Sequence, residues 1–141
     1  MASLRQWARS GILKNLSLSS TAKDGNLVVV DAKGLPWAEV FNDRIGRALF
    51  RKELLMDPET GVMIRLVRYP AGVINPQHTH PCGHGMHVLE GNLVTHQGTF
   101  GPGTFVRFPE GEVMEHGASA AGDVTVLFDK HAIKACSPAR S

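Results

Sequence analysis

What most restricts this chain is how it is punctuated. Runs rich in β-branched and aromatic residues are closed at short intervals by glycine or proline: "MHVLEGNLVTH", "GTFGPGTFVRFPEG" and "DVTVLFDKH" follow one another in the second half. The runs recur at a spacing of about ten residues, with turn signals between them. Long helices have little room among such breakers, because proline removes a backbone donor and glycine gives up the most conformational freedom on folding. The 15 glycines and eight prolines among 141 residues carry this pattern through most of the chain. The expected class is all-β, an antiparallel sandwich or barrel.

The first half adds to this reading. "NLVVVDAKG" reads as one strand, since Leu27 to Val30 are apolar and mostly β-branched, and "GLPW" ends it. "IGRALFRKELLMD" fits a short helix or a strand by period alone. It is followed by the turn signal "DPETG", with Pro58 and Gly61 where turns favour them, and then by the alternating "VMIRLVRYPAG". A hairpin accounts for all three segments, so the first is expected to be a strand. Leu66, Val88, Val94, Phe105, Val126 and Phe128 are the expected core. Residues 1–35 are expected to be an N-terminal arm and first strand, 36–135 the barrel domain and 136–141 a C-terminal tail.

Bulk properties exclude some functions. A net charge of +2 is too small to point to nucleic acid. No run of 18 apolar residues offers a membrane span. Arg5, Arg9 and Lys14 precede the first acid, Asp24, and several serines lie among them, a composition that transit peptides share. The expected reading is a short arm that packs on the domain or on a second subunit. Cys82 and Cys136 are too few for a disulfide framework and are expected to be free thiols in a reducing cytoplasm.

Four of the seven histidines fall in one window, "HTHPCGHGMHVLEG" at residues 78–91. On a strand, residues two apart share a face, so His78 and His80 project together. The segment "PCG" turns the chain, and His84 begins the next strand, where a hairpin returns it to the same interior point. Farther along, "PEGEVMEH" delivers His116 after another turn. Imidazoles converging in this way form a nitrogen-rich site for a divalent metal. His87 stands at an odd offset from His84 and is expected to point away. His96 and His131 have no supporting context. Met86 and Val88 share the face of His84 and are expected to give it an apolar lining.

These residues resemble the cupin superfamily. Gly72 is followed by five residues and then by His78, Thr79 and His80; His84 comes three residues later, and Gly91 six residues after that. The second family motif is matched by Gly103, five residues, and Pro109-Glu110-Gly111. Two departures stand out. His84 occupies the place where the family usually has glutamate, and the last histidine, His116, arrives two residues late, with Met114 at the usual position. The first departure is similar to small single-domain cupins with a four-histidine site. "GLPW" and "LLMDPETGVMIRLVRYPAG" resemble the branch that contains the cupin-type anti-sigma domains and the dihydroxyacetophenone- and diketone-cleaving dioxygenases.

The resemblance implies a jelly-roll type antiparallel β-barrel, often dimeric. It also implies a metal bound by His78, His80, His84 and His116. Four neutral imidazoles leave such a site at +2, which favours an anionic ligand and the lower oxidation state of iron or manganese. An octahedral ion so held keeps two positions for a bidentate substrate, or for a substrate and O2. Iron or manganese is expected in the cell, and zinc or nickel in purified protein. The expected function is a metal-dependent dioxygenase or related lyase acting on a small oxygenated molecule. The alternatives are a non-catalytic metal- or ligand-sensing module and a metal-dependent sugar isomerase or epimerase. No acid or base is marked: Glu90, Glu110, Glu112 and Glu115 read as exposed turn carboxylates. Arg65 and Arg107, on expected strands, would bind a substrate carboxylate if they faced inward. Cys82 would then line the entrance or fill the turn. A homodimer paired through edge strands, acting on a small-molecule substrate, completes the expectation.

Overall fold

Alternating apolar residues between tight turns give two antiparallel sheets in the computed structural model, which describes residues 27–130. The strands are β1 (Ala38–Asn42), β2 (Arg47–Met56), β3 (Met63–Tyr69), β4 (Ile74–His78), β5 (His84–Glu90), β6 (Leu93–Thr95), β7 (Gly98–Phe100), β8 (Phe105–Phe108), β9 (Met114–Ala118) and β10 (Val124–Lys130). The larger sheet has the order β1-β2-β3-β10-β5-β8 and the smaller one β4-β9-β6-β7. The fold is all-β and of the cupin type, as expected. The expected N-terminal arm, His131, Cys136 and the C-terminal tail lie outside the described residues.

The ambiguous segment is indeed strand β2. It pairs antiparallel with β3 through the expected turn. Asp57 organises that turn: its Oδ1 accepts from the Glu59 amide at 2.9 Å, and the Thr60 hydroxyl donates to its Oδ2 at 2.9 Å. Gly61 closes it in the left-handed region, at φ 78°, donating to the Asp57 carbonyl at 2.7 Å. The core lies between the sheets. Met86 and Val88 of β5, Leu93 of β6, Phe108 of β8, Met114 of β9 and Val124 and Val126 of β10 are all buried in it. Each such side chain contributes about 1.5–3 kcal/mol by leaving water.

Three sequence expectations need correction. Leu27 to Val30 form no strand; a single 3-10 turn at Ala32–Gly34 follows them, and Leu27 and Val29 are 89% and 79% exposed. Asp31 caps the turn by accepting from the Lys33 amide at 3.1 Å, and no partner strand is present among the described residues. The β propensity of a short apolar run is not enough without a ladder to join. Phe105 is not in the core: it is 56% exposed, and the buried aromatic of β8 is Phe108. Two phenylalanines three apart lie on opposite faces of a strand, so only one can point inward. The ring of Phe105 lies instead over Gly85, whose hydrogen leaves room for it on the outer face. Of the other expected core residues, Val88 and Val126 are buried, whereas Leu66, Val94 and Phe128 are half-buried. Third, Cys82 is not a free thiol: it is buried and disulfide-bonded.

A candidate metal centre between the sheets

The topology brings the histidines in from both sheets. In the smaller sheet β4 pairs with β9, setting Asn75 opposite His116 and His78 opposite Met114. His78 closes β4, and His80 lies beyond the strand end, in the connection that crosses to the larger sheet. This corrects the expectation that both project from one strand. The rings meet nonetheless, with centroids 4.7 Å apart. The connection is held in place by the Gly111 amide, which donates to the His80 carbonyl at 3.0 Å. His84 opens β5 in the larger sheet, where it pairs with Phe108 on one side and Lys130 on the other.

Ligating nitrogens of His78, His80 and His116 all lie within 4.8 Å of one another. His84 adjoins this group: its ring centroid is 4.5 Å from that of His80 and 5.9 Å from that of His116. Phe108 and Phe128 flank the His84 ring at 5.0 and 4.7 Å. His87 is exposed on the opposite face of β5, as its parity requires, while Met86 and Val88 are buried on the face of His84. His96 is exposed and lines a separate cavity of about 370 Å³ together with Arg107 and Glu112, away from the histidine group.

The ring nitrogens show what the site lacks. His78 Nδ1–H donates to the Pro76 carbonyl at 2.6 Å, which turns its Nε2 lone pair toward the group. His116 Nδ1 is 3.0 Å from the Tyr69 hydroxyl, a bond that spans the two sheets and leaves Nε2 as the inward atom. That Nε2, and both ring nitrogens of His84, are buried without a hydrogen-bond partner. A buried polar atom left unpaired costs about 1–3 kcal/mol, so three in one place call for a partner of another kind. A divalent cation meets that need for Nε2 of His116 and for one nitrogen of His84, the one that carries the lone pair of the neutral ring. The Nε2 atoms of His78 and His80 are 2.9 Å apart. Two nitrogens bound at about 2.1 Å and at right angles would be about 3.0 Å apart. The residues present therefore fit a metal ion.

Electrostatics act in the same direction. Burial lowers all four imidazole pKa values, His80 to about 4 and His84 to about 3, with His116 well below its ordinary range and His78 also lowered. Neighbouring imidazoles add to the effect on His80, His84 and His116. At neutral pH the rings are uncharged, the form that ligates. The other charges acting on His78, His80 and His84 are cations: Arg44, Lys130 and Arg107. Burial raises the Tyr69 pKa, so its hydroxyl keeps its proton.

A cavity of about 160 Å³ opens onto the group and is lined by His80, His116, Tyr69, Asn75, Arg65 and Phe128, among others. Of the two arginines singled out in the sequence, Arg65 lines this cavity. Arg107 is exposed, covers Gly83 on the outside and donates to the Phe108 carbonyl at 3.2 Å. Glu90, Glu110 and Glu112 are exposed and Glu115 is half-buried; none of them lines this cavity. Tyr69 and Asn75 were not among the sequence candidates. For Tyr69 a signal was present: in "VMIRLVRYPAG" it shares strand parity with Arg65 and Val67, and all three line the cavity.

The family described as the ChrR cupin-like domain matches residues 26–134. No curated protein matches the chain significantly. Among solved structures, a proposed acetylacetone dioxygenase of Methylibium petroleiphilum PM1 aligns with a TM-score of 0.66 at 12% identity, covering 82% of this chain and 87% of that one. An RmlC-like cupin protein of Ralstonia eutropha JMP134 gives 0.65 at 17% identity over 82% and 78% of the two chains. A predicted oxalate decarboxylase of Thermotoga maritima gives 0.63 at 18% identity over 74% and 99%. At these identities the likeness is one of fold.

Proposed function

Because the chain belongs to the ChrR cupin-like domain family, and its interior gathers four imidazoles, with nitrogens of His84 and His116 buried without a hydrogen-bond partner, we propose that it is a metal-dependent enzyme. It would be of the dioxygenase or related lyase type and act on a small oxygenated molecule such as a diketone or hydroxyketone. The observation that carries the reading is the set of three unpartnered buried nitrogens on His84 and His116. His78, His80, His84 and His116 would hold one divalent ion, iron or manganese in the cell. Bound there, the ion would supply a Lewis acid for substrate oxygens and, as iron or manganese, an electron source for O2 chemistry.

The chain's own residues do the rest. The Pro76 carbonyl and the Tyr69 hydroxyl fix the orientation of His78 and His116, as partners behind metal-binding histidines do elsewhere. Phe108, Phe128, Met86 and Val88 surround His84 with apolar surface. No carboxylate lines the cavity among the described residues, so no side-chain base of that type is at hand. This favours a substrate that arrives already ionised, as an enolate or other anion. The fold likeness to a proposed acetylacetone dioxygenase is in keeping with this class.

Metal quantification on protein from its native host, followed by O2 uptake with a panel of diketones and hydroxyketones, tests the reading. Stoichiometric iron or manganese with substrate-dependent O2 uptake is expected. Bound metal with ligand binding but no turnover would instead identify a sensing module. Isomerisation of a ketose without O2 uptake would identify a sugar isomerase.

A further inference from the structure

The cavity beside the histidines has a second chemical end. Arg65, Val67 and Tyr69 alternate along β3 and all line it, so the strand period that points Tyr69 at His116 also points Arg65 inward. The Arg65 side chain is only 15% exposed. Its Nε–H donates to Glu53 at 3.0 Å, from the position directly opposite on β2. Glu53 also pairs with Arg51 at 3.2 Å, and Arg51 lines the same cavity. One carboxylate thus faces two guanidinium groups, and this corner carries a net positive charge. Of the five N–H donors of Arg65, Nε–H is committed to Glu53 in a bond that sets the plane of the fork. The terminal amino groups are the ones suited to a planar carboxylate. Asn75, whose buried Oδ1 has no partner, lines the cavity as well.

The lining spans both ends, with His80 and His116 at one and Arg65 and Arg51 at the other, around a space of about 160 Å³ that opens to solvent. A small ligand can therefore face both groups at once. Among the described residues no acid lines the cavity, the nearby Glu53 being paired with Arg65 and Arg51, and Arg44 and Lys130 add positive charge around the histidines.

Within that class of small oxygenated molecules, we propose that the substrate also carries a carboxylate, as a small 2-oxo or 2-hydroxy acid does, with its carboxylate held by Arg65 and its second oxygen function directed at the histidine centre. Arg65 is the residue that sets specificity, and Glu53 positions it. The proposal rests on the metal-centre reading for the other end of the ligand.

The test compares two molecules of the same shape that differ in charge. Pyruvate and pyruvamide are titrated calorimetrically into the full chain loaded with zinc, which is redox-silent, and zinc content is measured on the same samples. Wild-type protein should bind pyruvate about tenfold or more tightly than pyruvamide. Arg65→Met should abolish that preference, weakening pyruvate binding far more than pyruvamide binding, and retain full zinc. Arg65→Lys, which keeps the charge but loses the planar fork, should keep part of the preference. Glu53→Gln should weaken pyruvate binding alone, with unchanged zinc. Equal binding of the two molecules by zinc-loaded wild type, or a preference for pyruvate that survives Arg65→Met, would overturn the Arg65 assignment and leave the metal centre standing. A wild-type protein that takes up no divalent ion would overturn the metal-centre reading and this proposal with it.

Discussion

His84 carries the most information of any single residue in this chain. It is buried, flanked by two phenylalanine rings, and has two ring nitrogens without partners. As a mere core residue it would be poorly chosen, since a phenylalanine or leucine would fill the space without unpaired polar atoms. As a metal ligand it is well placed. His84→Ala should therefore lower metal content, while His84→Glu should retain metal but change which ion is preferred and how readily it is oxidised. His87→Ala, on the exposed face of the same strand, should leave occupancy near that of the wild type. Quantifying bound metal in the three variants checks all of this, and full occupancy in His84→Ala would show that His84 is no ligand. Tyr69→Phe tests the support behind the site. It removes one hydroxyl and leaves His116 Nδ1 without its partner. Metal affinity should fall by about 10- to 100-fold, measured by competition with a chelator.

Individual strands decide which of two similar residues matters. On β8, Phe108 is packed in the core and stacks on His84, whereas Phe105 lies outside over Gly85. Truncating Phe108 to alanine should cost about 3–5 kcal/mol, the range for a buried aromatic. Phe105→Ala should cost under about 1.5 kcal/mol, because its ring remains largely in water in the folded protein. Urea unfolding of the two variants gives the comparison, and equal losses would show the register of β8 to be wrong. Parity also explains β9, where Met114 and His116 both point inward from positions two apart. Met114 stands where the family motif has its last histidine, and His116, the candidate ligand, takes the next inward position on the same strand.

For the molecule as a whole, the histidines tie stability to pH. In the metal-free protein His80 and His84 keep folded-state pKa values of about 4 and about 3, against 6.5 for the ordinary imidazole. Above 6.5 neither the folded nor the unfolded state takes up protons on these rings, and their contribution to stability is fully present. Below it the unfolded chain binds protons that the folded chain refuses, so stability declines as pH falls toward the folded-state values. The midpoint of urea unfolding for the metal-free protein should drop between about pH 7 and about pH 5, and bound zinc should offset the loss at the upper end of that window. A flat midpoint across this range would contradict the burial of neutral imidazoles. We also propose that the assembled protein is a dimer. Phe41 on edge strand β1 is 64% exposed, and Leu27 and Val29 just before it are exposed as well, a set of apolar residues that a partner would cover. Light scattering should give twice the chain mass of 15.3 kDa at micromolar concentration, and a single chain mass would remove the proposal.

Much of this protein is legible in its sequence, and the rest is not, for definite reasons. Strand runs between Gly and Pro breakers specify an all-β fold because backbone sterics and side-chain alternation act locally. The same alternation separates His87 from His84. The spacing of Gly72, His78, His80, His84 and Gly91 resembles a family motif, and the expected metal site comes from that resemblance. Other features depend on what lies across space. Leu27 to Val30 have strand propensity, but a strand needs a neighbour, and only the assembled sheets show that none is there among the described residues. Phe105 and Phe108 are equally apolar, and only packing against Gly85 on one side and His84 on the other assigns them to opposite faces. Cys82 reads as a free thiol until the folded chain pairs it. The partnership of Tyr69 with His116 joins residues 47 positions apart on different sheets. Arg65 acquires its inward role because β2 sets Glu53 opposite it and β4 and β9 bring Asn75 and His116 to the same cavity. Local sterics can be read along a chain; which groups share a cavity is decided only when the two sheets come together.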